Sequence, residues 1–195
     1  MIPRRLQVMI VLLVLAILAM ASYLVYLKRK AEAISGAPSG QPISAPLPGP
    51  PQQLTLFVAS DEDDSLTTTV VSSALPSDAG QRARLALHTL ILRYQQKDSP
   101  HRLGDGADVH EVYLLDPASA VVNLNAAFAD KHQSGVEVEQ LSVFSMVRTM
   151  KAQLPQLARV RFLVEGKSRV TLAGHVDLSD WIDVGSVVDA CRELH

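Results

Sequence analysis

The chain has 195 residues, which is enough for one domain with additional segments. Its formal net charge is −2, so charge gives no support for nucleic-acid binding, and we expect no nucleic-acid partner. Cys191 is the single cysteine, which excludes a disulfide within the chain.

The first 30 residues predict a membrane anchor. A basic tail, residues 1–5, precedes a transmembrane helix with its basic flank, residues 6–30, in which residues 8–27 carry no charge. A helix of about 20 residues spans about 30 Å, the thickness of a bilayer's hydrocarbon core. Two alternatives stay open: Ala19-Met20-Ala21 fits a signal-peptide cleavage site, and an apolar run also suits a buried core helix.

Residues 31–53 predict a disordered, proline-rich linker, because prolines alternate with serine and glycine and no apolar period remains. At about 3.1 Å per residue its reach is at most about 70 Å. We favour a spacer over a ligand for another module. Basic residues flank the uncharged run on both sides, so their distribution does not decide the orientation. The short basic tail is easily retained inside, and we expect a single-pass protein of the cell (inner) membrane with residues 31–195 extracytoplasmic, in a periplasm or cell exterior.

The folded part is predicted to begin at Leu54. Alternating apolar residues over 54–58 predict a strand, and residues 66–71 predict a second, short strand. Residues 81–97 predict a helix with one apolar face, and residues 98–110 predict a loop. The break and cap before this helix come from Pro76, Ser77, Asp78 and Gly80.

The stretch 111–167 predicts one compact unit of strand, strand, helix and strand. Two apolar runs, 112–115 and 120–124, flank an Asp-Pro-Ala-Ser turn and predict a hairpin. Apolar residues then recur at helical spacing from Leu141 to Leu154, and Pro155 ends the helix.

A strand over residues 160–164 closes this unit, since its apolar residues alternate along the chain. We expect Phe144, Val147 and Met150 of the preceding helix to be buried against this strand. Residues 170–173 are expected to add one more strand.

Residues 179–195 predict a C-terminal helix capped by Ser179 or Asp180. Its apolar stripe, which includes Trp181 and Cys191, predicts docking on the domain, with a partner helix as the alternative. The predicted fold class is therefore α+β: one compact βαββαβ-like domain over residues 54–178, followed by this helix.

Three segments of the chain resemble a known family. The run AVVNLNAAFADKH, residues 147–150 of the predicted helix and the segment RVRFLVEGK are similar to the GerMN domain, named for sporulation and spore-germination proteins. The resemblance covers residues 54–178 and consists of core and turn positions. Asn123 and Asn125 stand where the family commonly has Asp and Ser, a departure expected to affect surface detail only. The resemblance implies a non-catalytic, extracytoplasmic binding or assembly module.

The sequence contains no phosphate-binding loop, paired cysteines or serine-hydrolase motif. We therefore predict no catalytic residue, no cofactor and no metal site. The acidic residues 61–64 lack the glycine and distal glutamate of a calcium loop, so a solvated turn is favoured. Carboxylates of this turn paired with Glu111 or Asp116 stay a possible acid–base site.

The histidines and the cysteine also favour structural roles. His101 and His110 bracket Asp105 and Asp108, but loop composition explains this pattern better than a metal site does. His88, next to an apolar stripe, predicts a packing role. Cys191 lies on an apolar stripe, which is typical of a buried, inert thiol.

The predicted function is association with envelope proteins or with a second copy, rather than chemistry. The candidate surfaces are the sheet around residues 112–124 and 159–165, whose edge offers backbone groups to a partner strand, and Trp181 in the tail. An envelope enzyme or small-ligand-binding domain acting on the cell wall is the alternative. A deep cleft with convergent polar groups would favour it.

The predicted topology can be tested with reporters fused after His195. We expect a reporter that is active only outside the cytoplasm to be active there, because the uncharged run of residues 8–27 inserts into the membrane and the rest of the chain is exported. Activity of a cytoplasm-only reporter at the same position would reverse the orientation.

Overall fold

The computed structural model describes residues 20, 22, 23 and 52–193. The predicted basic tail, anchor and linker therefore lie outside the described residues, apart from three helical positions at Met20, Ser22 and Tyr23 and the last two linker positions, which are already strand. Within the described part of the chain, no helix combines the length and the apolar character that crossing a bilayer requires.

The elements alternate between strands and helices, and the α+β prediction is confirmed. In chain order they are β1 (Gln52–Ser60), β2 (Ser65–Ser73), α1 (Ala79–Tyr94), β3 (Val109–Asp116), β4 (Ser119–Leu124), α2 (Ala126–Asp130), α3 (Val136–Gln153), β5 (Arg159–Val164), β6 (Ile182–Asp183) and α4 (Val184–Glu193).

The strands of the described residues form two sheets. β1 and β2 pair only with each other, as an antiparallel hairpin. The second sheet has the order β3-β4-β5-β6. Its β3–β4 pair is the predicted hairpin around Pro117, and β5 returns parallel to β4 because α2 and α3 carry the chain back across the sheet.

One face of the four-stranded sheet is buried and the other is partly open. Val122 and Phe162 point into the core, whereas Tyr113, Val121 and Arg161 on the other face are exposed or half-buried. This alternation is typical of a sheet that packs on one side only. β1 comes close to α3 and α1, and all these elements share one hydrophobic core.

Most predicted elements occur with shifted ends. Asp78 caps α1 by accepting a hydrogen bond from the Gln81 N–H at 2.8 Å, so the predicted cap is present. The short helix α2 was not predicted. The strand predicted over residues 170–173 is wrong: only an isolated bridge joins Thr171 to Asp177 there, inside a closed loop.

The predicted start of the C-terminal helix is also wrong. α4 begins at Val184, and its first turn is capped by Asp183, which accepts from the Ser186 N–H at 2.7 Å. Residues 182–183 instead pair with the start of β5 as the short strand β6. Trp181 lies before the helix, where the Arg159 guanidinium stacks 4.7 Å from its ring centroid.

Phe144 of the central helix was predicted to be buried, and this detail is wrong. Phe144 is only half-buried at the margin of the core. The backbone of α3 comes close to β1, α1 and α4. Val147 and Met150 are fully buried, as predicted.

Because Met150 and Phe144 differ in burial, replacing each with alanine should lower the stability by different amounts. Met150→Ala should lower the free energy of unfolding by about 2–5 kcal/mol, the usual loss for a fully buried large side chain. Phe144→Ala should cost clearly less, since part of its ring already contacts water. Urea denaturation of both variants checks the order, and equal losses would contradict this packing.

Candidate functional site

A chain of polar side chains lies buried between the hairpin and the helices. His101 Nδ1 is 2.5 Å from Asp61 Oδ1, and His101 Nε2 is 2.6 Å from Ser142 Oγ. The same hydroxyl is 2.7 Å from His132 Nε2, and His132 Nδ1 is 2.7 Å from the Gln133 carbonyl. We call Asp61, His101, Ser142 and His132 the histidine network.

The network continues a seam of polar groups along the outer edge of β1. Thr149 Oγ1 accepts from the Phe57 N–H at 2.9 Å, and the Tyr94 hydroxyl accepts from the Ala59 N–H at 2.8 Å. Two residues after Ala59, the Asp61 N–H donates to the Pro100 carbonyl at 3.0 Å. Side chains and a loop thus replace the missing neighbouring strand.

Sequence reasoning missed this seam, although a signal for it exists. Ser142, Ser145 and Thr149 recur on α3 at spacings of three and four, on the side opposite the predicted apolar face, and all three are buried. Buried hydroxyls at helical spacing indicate polar partners on the facing element.

Asp61, His101 and Ser142 follow the order of an acid–base–nucleophile triad. Ser142 is 1% exposed, and its hydroxyl already contacts His132 on the other side. A substrate carbonyl therefore has no open position beside Oγ in the described structure. The geometry fits a hydrogen-bonded core better than hydrolysis.

A buried acid, Glu139, organises the C-terminal loop. Its carboxylate accepts hydrogen bonds at 2.9–3.0 Å from the backbone N–H groups of Ala173, His175 and Val176. The His175 ring contacts the other oxygen at 2.9 Å. Burial alone raises the pKa of Glu139, but these bonds, led by that from Val176, outweigh burial and lower the pKa to about 2.

The structure separates the residues that sequence placed in a possible metal site. His101 joins Asp61, whereas His110 Nε2 lies 3.2 Å from a Glu165 oxygen. Over residues 52–193 and the three N-terminal positions described, no cluster of three His, Cys, Asp or Glu side chains is placed to hold a metal ion.

The other candidates also take separate structural positions. His88 Nδ1 lies 2.7 Å from Asp108 Oδ1. Asp116 accepts from the Ala118 N–H at 2.7 Å, and no hydrogen bond among the described residues joins it or Glu111 to the acidic turn. Cys191 is buried, and burial raises the pKa of its thiol.

Asn123 and Asn125 both accept hydrogen bonds from the backbone. Asn125 caps α2 by accepting from the Phe128 N–H at 2.9 Å, and it also accepts from the Asp108 N–H. Asn123 accepts from the Gly166 N–H at 2.7 Å, which holds the turn after β5.

One groove of about 510 Å³ opens between the start of α1, the tip of the β3–β4 hairpin and the end of α3. Its lining is mostly apolar and includes Ala79, Leu114, Pro117, Leu154 and Pro155. Arg82, Asp116, Gln153 and Gln156 complete the lining. Leu115 is 63% and Tyr113 51% exposed in the same strand, and neither lines the groove.

The outer edge of β3 runs into this groove. Arg84 Nε donates to the His110 carbonyl at 2.7 Å, and the Gly80 backbone lies so close to the Val112 carbonyl that an added Cβ would be 3.1 Å away. α1 therefore covers the edge at these two residues. Because alternate residues point their backbone groups to the same side, Leu114 presents its N–H and C=O at the groove.

Comparison with known proteins decides the family. The family model described as Germane: Sporulation and spore germination matches residues 55–170, more than half of the chain. The chain belongs to the Germane family. This confirms the GerMN resemblance. No curated protein matches the chain.

Three solved structures are similar to the chain at low sequence identity. The tandem GerMN domains of the sporulation protein GerM from Bacillus subtilis align with a TM-score of 0.50 and 17% identity, over 68% of this chain and 46% of that one. The match thus spans less than half the length of the tandem-domain chain. The first GerMN domain of GerM aligns with a TM-score of 0.46 and 16% identity, over 68% of this chain and 97% of that one. A putative lipoprotein from Clostridium perfringens gives 0.41 and 16%, over 69% and 88%.

The low pKa of Glu139 predicts acid sensitivity of the Germane domain. The carboxylate stabilises the fold above its ordinary pKa of 4.5, and this contribution is lost as pH falls toward 2. The loss should approach about 3 kcal/mol, from about 1.4 kcal/mol for each pKa unit.

Chemical denaturation at pH 5 and below, with Glu139→Gln and the exposed neighbour Glu137→Gln as control, measures this loss. Glu139→Gln should be less stable at pH 7 and show a shallower acid dependence. A Glu139→Gln variant that keeps the full acid dependence would assign it to other carboxylates.

Proposed function

We propose that this chain is a non-catalytic, membrane-tethered binding module of the cell envelope, which takes an extended segment of a partner protein at the groove beside β3. The observation that carries the proposal is the uncovered edge at Leu114, next to a mostly apolar groove. An extended peptide there would pair with the backbone of β3 and place an apolar side chain in the groove.

The shape of the groove supports a protein partner over a substrate. Apolar side chains dominate its lining, and the exposed Leu115 directly follows the lining residue Leu114. An enzyme of the cell wall would instead require convergent polar groups in a deep cleft. The polar convergence in this domain lies in the histidine network, which is buried.

The sequence and the family support the proposed membrane tether and the proposed location in the cell envelope. The uncharged residues 8–27 suit a bilayer span, and the proline-rich residues after them suit a spacer. Tethering raises the effective concentration of partners held in the same layer, so a small interface suffices. The family's description in sporulation and spore germination agrees with a role in an envelope assembly.

Of the two candidate sheet edges, that of β3 is more accessible than that of β5. Along residues 159–160, β5 is covered by β4 on one side and β6 on the other, so it offers no free edge there. β3 is at the end of the sheet, and its outer edge is covered by α1 only in part. β3 is therefore the better candidate for strand addition.

A photocrosslinking amino acid at Leu115 of the full-length chain, expressed in cells of the source organism, tests this proposal. We expect an adduct with another protein, and we expect Leu114→Arg to reduce its yield at least tenfold by placing a charge at the groove. The same photocrosslinker at Val170, which is 73% exposed but outside the groove lining, is the matched control and should give no such adduct.

Circular dichroism of the Leu114→Arg chain separates lost binding from lost fold. The proposal is refuted by equal adducts at both positions, by no adduct, or by an adduct that Leu114→Arg does not change. An adduct formed only with a second copy of this chain would replace the proposed partner with self-association.

A further inference from the structure

The histidine network contains four successive contacts between polar atoms. They run from Asp61 Oδ1 to His101 Nδ1, from His101 Nε2 to Ser142 Oγ, from Ser142 Oγ to His132 Nε2, and from His132 Nδ1 to the Gln133 carbonyl. All four distances lie between 2.5 and 2.7 Å, which requires a hydrogen atom between the partners of each contact.

The groups in their ordinary charge states supply too few hydrogens. A neutral imidazole carries one N–H, a serine hydroxyl carries one O–H, and a carboxylate and a carbonyl carry none. Two neutral imidazoles and one hydroxyl thus supply three hydrogens for four contacts. One contact would then bring two acceptors together without a hydrogen between them, which is unfavourable in a site that is mostly removed from solvent.

We propose that the histidine network is a proton-binding site, in which Asp61, His101, Ser142 and His132 together hold one proton more than a carboxylate and two neutral imidazoles. With that proton, His101 Nε2–H donates to Ser142, Ser142 donates to His132 Nε2, and His132 Nδ1–H donates to the Gln133 carbonyl. The remaining hydrogen lies between His101 Nδ1 and Asp61.

The surroundings of the network favour this arrangement. His101 is fully buried, and its ring meets the Tyr94 ring edge-on at 4.6 Å between centroids. His132 packs against Phe128 at 5.9 Å. Burial lowers the pKa of His132, and the charge of His101 acts in the same direction, so His132 stays the neutral member.

Acidic groups reach the network from two elements. Asp61, in the turn with Glu62, Asp63 and Asp64, faces His101 and is 27% exposed. From α3, Glu139 acts on His132 and is itself bonded to His175. The negative carboxylates of Asp61 and Glu139 both stabilise a positive charge in the network.

The proton connects separate parts of the chain. Asp61 belongs to the β1–β2 turn, His101 to the loop before β3, His132 to the loop after α2, and Ser142 to α3. Loss of the proton would break one contact and weaken the attachment of the hairpin tip to the helices. Because the folded chain holds a proton that unfolded histidines release above about pH 6.5, stability should fall as pH rises.

Asp61→Asn gives a sharp test in the full-length chain. The asparagine amide supplies the fourth hydrogen itself, since Nδ2–H can donate to His101 Nδ1 and leave Nε2–H for Ser142. The variant therefore needs no extra proton. Asp63→Asn, in the same turn but bonded only to the Ser60 hydroxyl at 3.3 Å, removes the same charge and is the matched control.

Denaturant unfolding at pH 7, 8 and 9 measures how much the bound proton contributes to the free energy of unfolding. Relative to Asp61→Asn, the unfolding equilibrium constant of the unmodified chain and of Asp63→Asn should rise by up to about tenfold per pH unit, the effect of one proton. A constant ratio between the unmodified chain and a folded Asp61→Asn variant overturns the proposal.

An independent measurement on the unmodified chain uses ¹⁵N-labelled histidine. At pH 8 the NMR spectrum should show His101 Nε2 bearing a hydrogen and His132 protonated at Nδ1 alone. A bare His101 Nε2 in the folded protein at this pH would also overturn the proposal, whether or not Asp61→Asn folds.

Discussion

The structure depends on how the outer edge of β1 is satisfied. β1 pairs only with β2, so its other edge would leave backbone N–H groups without partners in a buried position. Each such group costs about 1–3 kcal/mol when unpaired. Thr149, Tyr94 and the Pro100 carbonyl remove this cost, and they thereby fix where α3, α1 and the following loop lie against the hairpin.

Local patterns in the sequence predicted the elements whose formation is local. The Asp-Pro turn predicted the β3–β4 hairpin, and apolar spacing predicted α1, the body of α3 and β5, since each signal lies within one element. Elements defined by distant contacts were missed or misplaced. β6 exists because two residues pair with β5, and its pairing delays the start of α4 to Val184.

The site was harder to predict than the fold, for a physical reason. Glu139 lies in the first turn of α3, where an acid usually faces water, and only the returning loop at 173–176 buries it. His101 was recognised as a candidate, but its partners are about forty residues away on either side. The groove forms where three elements meet, so no single stretch of sequence encodes it.

The parallel pairing of β4 with β5 has a consequence for how the chain folds. Ser119 pairs with Arg159, so the β3–β4 hairpin gains its third strand only after two helices have closed a loop of about forty residues. Pairing of strands that are distant in sequence is slow, because the entropy of closing the loop is lost before the new contacts form. During synthesis the inner edge of β4 would therefore stay open until β5 arrives, which makes that edge the point where a nascent chain is most vulnerable to pairing with the wrong strand.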